Sequence, residues 1–164
     1  MLIKKLPGNN GALIIGKFRV LTNAHYKMIK DALKNYDTVS IALVSNRITK
    51  ATKDLRRQML EMSFQNEPNL EIVETISGNL ATILNKCRYN INNIIVGTDR
   101  FQDFKNQIKK LNLDLNIKEI KRTNDDISAT KVIQNINDKE YFYNNTPKSI
   151  HPLYNEIKNA YSKK

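Results

Sequence analysis

The sequence predicts an α/β fold, a parallel sheet with helices on both faces, and three observations carry the prediction. Apolar runs of strand length alternate with amphipathic stretches along the chain. The first run, Ala12-Leu13-Ile14-Ile15, is continuously apolar, as a strand buried on both faces must be. Gly16 and Gly97 each close such a run where the chain must turn into a helical pattern. The strands fall at 12–15, 38–44, 70–75, 93–96 and 115–120. Helical patterns fall at 24–34, 49–63, 80–87, 101–111, 129–136 and 150–161. In the fourth, Phe101, Phe104, Ile108 and Leu111 recur at helical spacing and read as a core stripe. The polar run Asn144-Asn145-Thr146-Pro147-Lys148 reads as a loop before the last helix. No repeat or linker interrupts the pattern, so residues 1–164 are expected to form one domain, with a C-terminal helix at about 150–162 packed on it.

Composition narrows the function classes. No apolar stretch approaches the roughly 20 residues that span a bilayer, and the N-terminus lacks the apolar region of a secretory signal. A single cysteine, Cys87, cannot form an internal disulfide, so a reducing, cytoplasmic setting is expected. The net charge of +11 attracts polyanions: nucleotides, phosphorylated metabolites or nucleic acid. Basic residues are nevertheless spread out, with local excesses only at 47–57 and 105–110, and no basic-aromatic reader motif accompanies them. Most of this charge reads as a solvated Lys-rich surface, with a smaller part serving a phosphate site; nucleic acid is a possible but not a favoured partner.

Three segments carry chemistry. In the first, Gly16-Lys17-Phe18-Arg19-Val20-Leu21-Thr22-Asn23-Ala24-His25, a strand and a glycine turn lead to a helix start bearing Thr22 and His25. Helix N-termini present N–H groups and partial positive charge to anions, and the Thr–His spacing brings hydroxyl and imidazole together. In the second, Ile94-Ile95-Val96-Gly97-Thr98-Asp99-Arg100, a strand ends in a glycine and offers a hydroxyl, a carboxylate and a guanidinium where parallel sheets bind ligands. A plain helix start capped by Thr98 or Asp99 reads the same residues. In the third, Arg122 to Ile133, Ser128 is a good N-cap. Its hydroxyl, Thr130 and Lys131 could hold a phosphate, or the segment is simply a capped helix with a solvated Lys.

The first segment resembles the (H/T)xGH signature of nucleotidyltransferases with an adenylyl- or cytidylyltransferase fold, which often reads G-R-F-x-P-x-H/T-x-G-H. The glycine, the Phe, the Thr and the final His match; Lys17 replaces Arg, Val20 or Leu21 stands for Pro, and Ala24 replaces Gly. The stretch from Val96 to Arg100 resembles the V-G-S-D-R element, especially of small phage-type members, which opens the prospect of a phage-encoded protein. The third segment resembles I-S-S-T-K-I-R, which grips the triphosphate, but Val132-Ile133 bring no closing Arg. It is also similar to the cytidylyltransferase R-T-x-G-I-S-T-T, with one residue more between Arg122-Thr123 and Ile127-Ser128. The resemblance covers roughly residues 12 to 133, in order.

It implies a Rossmann-like three-layer sandwich of the nucleotidylyltransferase type. It implies transfer of a nucleoside monophosphate from an NTP to a phosphorylated small-molecule acceptor, with release of pyrophosphate and with Mg²⁺ as cofactor. ATP is slightly preferred over CTP, because G-K-F and V-G-T-D-R are more similar to adenylyl-type and phage-type members. His25, Thr22 and Lys17 would be catalytic. Gly16, Phe18, Gly97, Asp99, Arg100, Arg122, Ser128, Thr130 and Lys131 would bind the nucleotide. Ser45 and Asn46, following a strand, would contact the acceptor or cap the next helix. Nicotinamide mononucleotide, a phosphopantetheine and glycerol phosphate are acceptors that share the scaffold.

No dedicated metal ligands are expected, because Mg²⁺ would bridge phosphate oxygens; Asp125-Asp126 could bind Mg²⁺, but adjacent carboxylates more often form just a polar loop. An oligomer is possible. Ala24 and the missing Arg motivate an alternative, a catalytically impaired nucleotide- or nucleic-acid-binding protein on the same fold. His151 before Pro152 reads as a cap or surface residue, and Cys87 as a helix-end core residue.

Overall fold

The computed structural model describes residues 10–45, 49–121 and 127–162. Contacts group the described residues into two units: 10–17, 31–45 and 68–121 in the first, and 18–30, 49–67 and 127–162 in the second.

The first unit is a five-stranded sheet built from β1 (Gly11–Gly16), β2 (Thr38–Val44), β3 (Leu70–Thr75), β4 (Asn93–Gly97) and β5 (Asn116–Ile120), in the order β3-β2-β1-β4-β5. Every pairing is parallel. All of β2 is buried, as are the first four residues of β1, so both faces of the central strands are covered. β5 alternates toward solvent, as suits an edge. On one face Leu13, Ala42, Ile94 and Val96 meet Leu80, Ile83 and Cys87 at α3 (Leu80–Lys86), and Phe104 of α4 (Thr98–Lys110). The fold is thus α/β, a parallel sheet flanked by helices, as the alternation of patterns requires.

Close approach fixes the start of β1. The Asn90 carbonyl oxygen sits where a Cβ on Gly11 would have to be, and Thr38 Oγ1 would lie 2.9 Å from it. At the end of α4, Asn112 takes φ 54° just past the C-cap Leu111, the left-handed stop that Asn tolerates. The helix therefore ends at Lys110, and Leu111, expected in the core stripe, is 44% exposed.

The second unit holds the start of α1 (Asn23–Asn35), α2 (Lys50–Ser63), α5 (Ala129–Gln134), α6 (Lys139–Asn145), a 3₁₀ helix Lys148–Leu153 and α7 (Tyr154–Ser162). Tyr26 stacks on Phe64 with ring centroids 5.2 Å apart, and Ser63 and Ser149 share a 2.6 Å hydrogen bond. Phe142 packs against Tyr154, whose hydroxyl donates to the Ile136 carbonyl at 2.7 Å.

Three sequence expectations change here. Residues 144–145 belong to α6 and not to a loop: Asp138 caps that helix through Tyr141 N–H at 3.1 Å, and Phe142 buries its inner face. The single helix expected at 150–161 is instead the 3₁₀ helix followed by α7, because Pro152 has no N–H to close an α-helical turn. His151 is no cap. It stacks on Tyr143 with centroids 4.1 Å apart and planes 11° from parallel, and its Nε2 lies 3.1 Å from the Thr146 carbonyl. Cys87 is the buried C-cap of α3, as expected.

Candidate active site

In the first unit, Gly16 ends β1, Ser45 follows β2 and Gly97 ends β4, so all three lie at the C-terminal edge of the sheet. The strand order reverses direction between β1 and β4, the switch point at which open parallel sheets bind ligands. There the two central strands part. Their registered pairs end at Ile14 opposite Ile95, while β1 stays paired to β2 through Gly16 and β4 to β5 through Gly97. Gly97 has an ordinary extended backbone (φ −74°, ψ 167°), and a Cβ on it would meet nothing within 4 Å. The protein's own packing therefore leaves open space at this position.

Gly97, and neither Thr98 nor Asp99, is the N-cap of α4, and no side-chain cap bond is made. Asp99 stands in the first turn, where its charge complements the helix dipole and favours ligand hydroxyls over phosphates. Arg100 is fastened along its own helix: Nη2 donates to Asp103 Oδ2 at 2.6 Å, and the guanidinium lies 5.0 Å over the Phe104 ring and against Gly78. Lys17 is exposed. Ser45 is buried, with its N–H on the Thr75 carbonyl at 2.7 Å; Thr49, not Ser45, caps α2. Asn46 and Arg122 lie outside the described residues.

In the second unit, Thr22 and His25 exchange hydrogen bonds. His25 N–H donates to Thr22 Oγ1 at 3.3 Å, and Thr22 N–H donates to His25 Nδ1 at 3.4 Å. This is the reciprocal geometry of a capping box, with a histidine in the place usually held by Glu or Gln. Because Nδ1 accepts, the hydrogen of the neutral ring resides on Nε2. Thr22 is 2% exposed, so its hydroxyl seats His25 from inside the fold. Phe18 completes the seat. Its ring meets the imidazole edge-on at 4.9 Å, and its backbone is left-handed (φ 48°), a strained state for a bulky residue. No acidic residue occupies the first turn of α1 to repel an anion.

Ser128 caps α5 as expected, accepting from Lys131 N–H at 3.1 Å, and Thr130 and Lys131 are exposed. Sequence reasoning missed the residue that joins this segment to the first. Arg19 Nη2 donates to Thr130 Oγ1 at 2.8 Å across 111 residues of sequence. Tyr161 on α7 donates its hydroxyl to the Arg19 carbonyl at 2.6 Å. Neither bond has a local signal; only the charge of Arg19 within the motif marks it in the sequence.

Burial pushes the Tyr161 phenol from 10.0 up to about 12, against the opposing pull of the Arg19 and Arg56 cations. The fold thus favours the protonated phenol. The stability this contributes is complete below pH 10 and is lost as pH rises toward 12. Tyr161→Phe should flatten the fall of stability across that window, measured by denaturant unfolding at stepped pH; an unchanged slope would contradict the assignment.

Among the described residues no cluster of three His, Cys, Asp or Glu could cage a metal ion, and no helix is long and apolar enough to cross a membrane. The family model for cytidylyltransferase-like proteins matches residues 13–146. Among solved structures, the chain is similar to a protein assigned as a nicotinate-nucleotide adenylyltransferase from Vibrio parahaemolyticus (12% identity, TM-score 0.66, 88% of this chain and 97% of that one). It is also similar to Thermotoga maritima TmcAL bound with alpha-thio ATP (10%, 0.61, 92% and 56%) and to NadR in complex with NR (16%, 0.62, 90% and 45%). The chain spans about half the length of these last two proteins. A comparison with curated protein sequences finds no match.

Proposed function

Because the chain belongs to the cytidylyltransferase-like family, we propose that it transfers a nucleoside monophosphate from an NTP to a phosphorylated small-molecule acceptor and releases pyrophosphate. The Thr22–His25 pair carries the reading. It fixes an imidazole with its N–H on the outer nitrogen, at the start of a helix without acidic residues in its first turn. An acceptor phosphate oxygen attacks the α-phosphorus in line, and the bond to the pyrophosphate oxygen breaks. Negative charge builds on the bridging and equatorial oxygens, so the protein needs only to position two anions and neutralise that charge.

In this reading His25 donates through Nε2 as the charge develops, and Thr22 and Phe18 keep the ring in place. Lys17 screens the approaching phosphates. Ser128, Thr130 and Lys131 hold the β- and γ-phosphates, and Gly16 and Gly97 let backbone approach the nucleotide. Asp99 takes nucleoside hydroxyls, while Arg100 and Arg122 add positive charge on the nucleotide side. Ser45 and Asn46 remain the candidates for the acceptor. Mg²⁺ would neutralise phosphate charge as it arrives with the NTP, a role that asks for few protein ligands. ATP is slightly preferred over CTP, on the likeness of G-K-F and V-G-T-D-R to adenylyl-type members; the bound alpha-thio ATP of TmcAL and AMP-PNP of NadR, proteins of similar fold, agree with it.

The test is a screen of ATP and CTP with Mg²⁺ against nicotinamide mononucleotide, phosphopantetheine and glycerol phosphate, scored by pyrophosphate release. Release with one acceptor, faster from ATP, is expected. NTP binding without release from any pair would replace transfer by the nucleotide-binding alternative that Ala24 motivates, since its methyl stands where the motif has glycine.

A further inference from the structure

Arg19 belongs to none of the roles above, yet it is anchored at both its backbone and its side chain. Its backbone follows the left-handed Phe18, its carbonyl is held by Tyr161 at 2.6 Å, and its guanidinium is held by Thr130 at 2.8 Å. Among the described residues its guanidinium has no carboxylate within ion-pair distance; the pairs that do form there include Lys30–Glu67, Arg57–Glu61 and Arg100–Asp103. A half-buried guanidinium steered by a neutral hydroxyl carries charge that its surroundings do not compensate. The neighbourhood adds to that charge: Arg56 is fully buried close enough to act on the same tyrosine, and Lys131 follows Thr130. Beyond Lys131 come only Val132 and Ile133, so no guanidinium closes the segment after Lys131.

We propose that Arg19 binds the β- and γ-phosphate oxygens of the nucleoside triphosphate, with Thr130 and Tyr161 as its positioning residues; the inference rests on the nucleotidyl-transfer reading. One bond to Thr130 leaves most of the guanidinium N–H donors for an anion, and the planar fork matches two phosphate oxygens at once. Fixing the head on Thr130 removes part of the rotamer entropy that an Arg otherwise loses on binding. Arg19 has no carboxylate partner among the described residues, and an incoming polyphosphate would supply that counter-charge.

The experiment compares the full chain with Arg19→Gln, Arg19→Lys and Thr130→Val. Calorimetry measures ATP, CTP, AMP, CMP and inorganic tripolyphosphate, the turnover assay gives the acceptor KM, and thermal melting checks folding. Arg19→Gln should weaken ATP, CTP and tripolyphosphate about 10- to 100-fold, the range of a lost charge-assisted hydrogen bond, and leave AMP and CMP within about twofold. Arg19→Lys should recover part of the loss, because charge remains without the fork; should Arg19→Gln not fold, the intermediate affinity of Arg19→Lys decides. Thr130→Val should give a smaller loss with the same preference for triphosphates. Equal weakening of mono- and triphosphates, wild-type affinity in Arg19→Gln, or a rise confined to the acceptor KM would each overturn the proposal. A wild-type chain that binds nucleotides but transfers none would sink the transfer reading alone; one that binds no nucleotide would sink both.

Discussion

His25→Ala is expected to lower kcat by roughly 10²–10³-fold, about 2.7–4 kcal/mol of transition-state stabilisation, while the NTP Kd barely changes. The split follows from the ring's seat. Thr22 N–H fixes Nδ1 as acceptor, so in the proposed reaction Nε2 would carry its hydrogen before substrate arrives and would act on charge that appears only as the α-phosphorus is attacked. Loss of the ring also removes one capping bond and the edge-on contact with Phe18. A loss of about 1 kcal/mol of stability, seen as a lower melting temperature, is therefore expected alongside. Steady-state kinetics and NTP titration on folded variant decide the matter. Unchanged turnover would leave His25 a capping residue and nothing more.

Gly11→Ala carries the largest expected stability effect, a loss of about 3 kcal/mol or more in denaturant unfolding. A Cβ at this position falls on the Asn90 backbone carbonyl, which cannot rotate away as a side chain would. Asn92 fixes the same corner, since its Oδ1 accepts from Gly11 N–H at 2.9 Å and its N–H donates to the Gly11 carbonyl at 2.9 Å. The clash therefore strikes the start of the central strand, between β2 and β4. Gly97→Ala makes the natural control, because its methyl enters open space. A Gly11→Ala chain as stable as wild type would mean that this corner is far softer than its hydrogen bonds imply.

The sequence made the central sheet legible because β2, buried throughout, has no choice but apolar and small residues; β2 and β3 fall on the expected residues, and the other strand boundaries move by a residue at most. The helical C-terminal region was less legible. Asn144 and Asn145 resemble a turn, yet Asp138 and Phe142 outweigh them by capping and burying α6. The start of α4 also moved, because Gly97 takes the cap that Thr98 or Asp99 could have held. At the candidate site, the Thr22–His25 spacing could be read directly, since neighbours on a helix meet by geometry. The left-handed turn at Phe18 and the Arg19–Thr130 bond could not, for each depends on packing contributed from far along the chain.

The strand order β3-β2-β1-β4-β5 leaves an outer flank on β3 and another on β5, and any bare flank is a template on which a second chain can add a strand. Both are guarded by charge. On β3, successive carbonyls alternate in direction: Thr75 faces β2 through Ser45 N–H, so Glu74 faces outward, and there Lys86 Nζ occupies its carbonyl at 2.8 Å. An incoming strand would have to displace an ammonium group from the very acceptor it needs. Glu71 on the same strand is locked inward, its carboxylate taking the Ser40 hydroxyl and the N–H groups of Arg88 and Tyr89. On β5, Lys118 and Glu119 stand within five residues of strand, so a second copy aligned in register would set like charges against each other. The charge on both flanks thus opposes the addition of a sixth strand, a safeguard against edge-to-edge pairing in an Asn-rich chain.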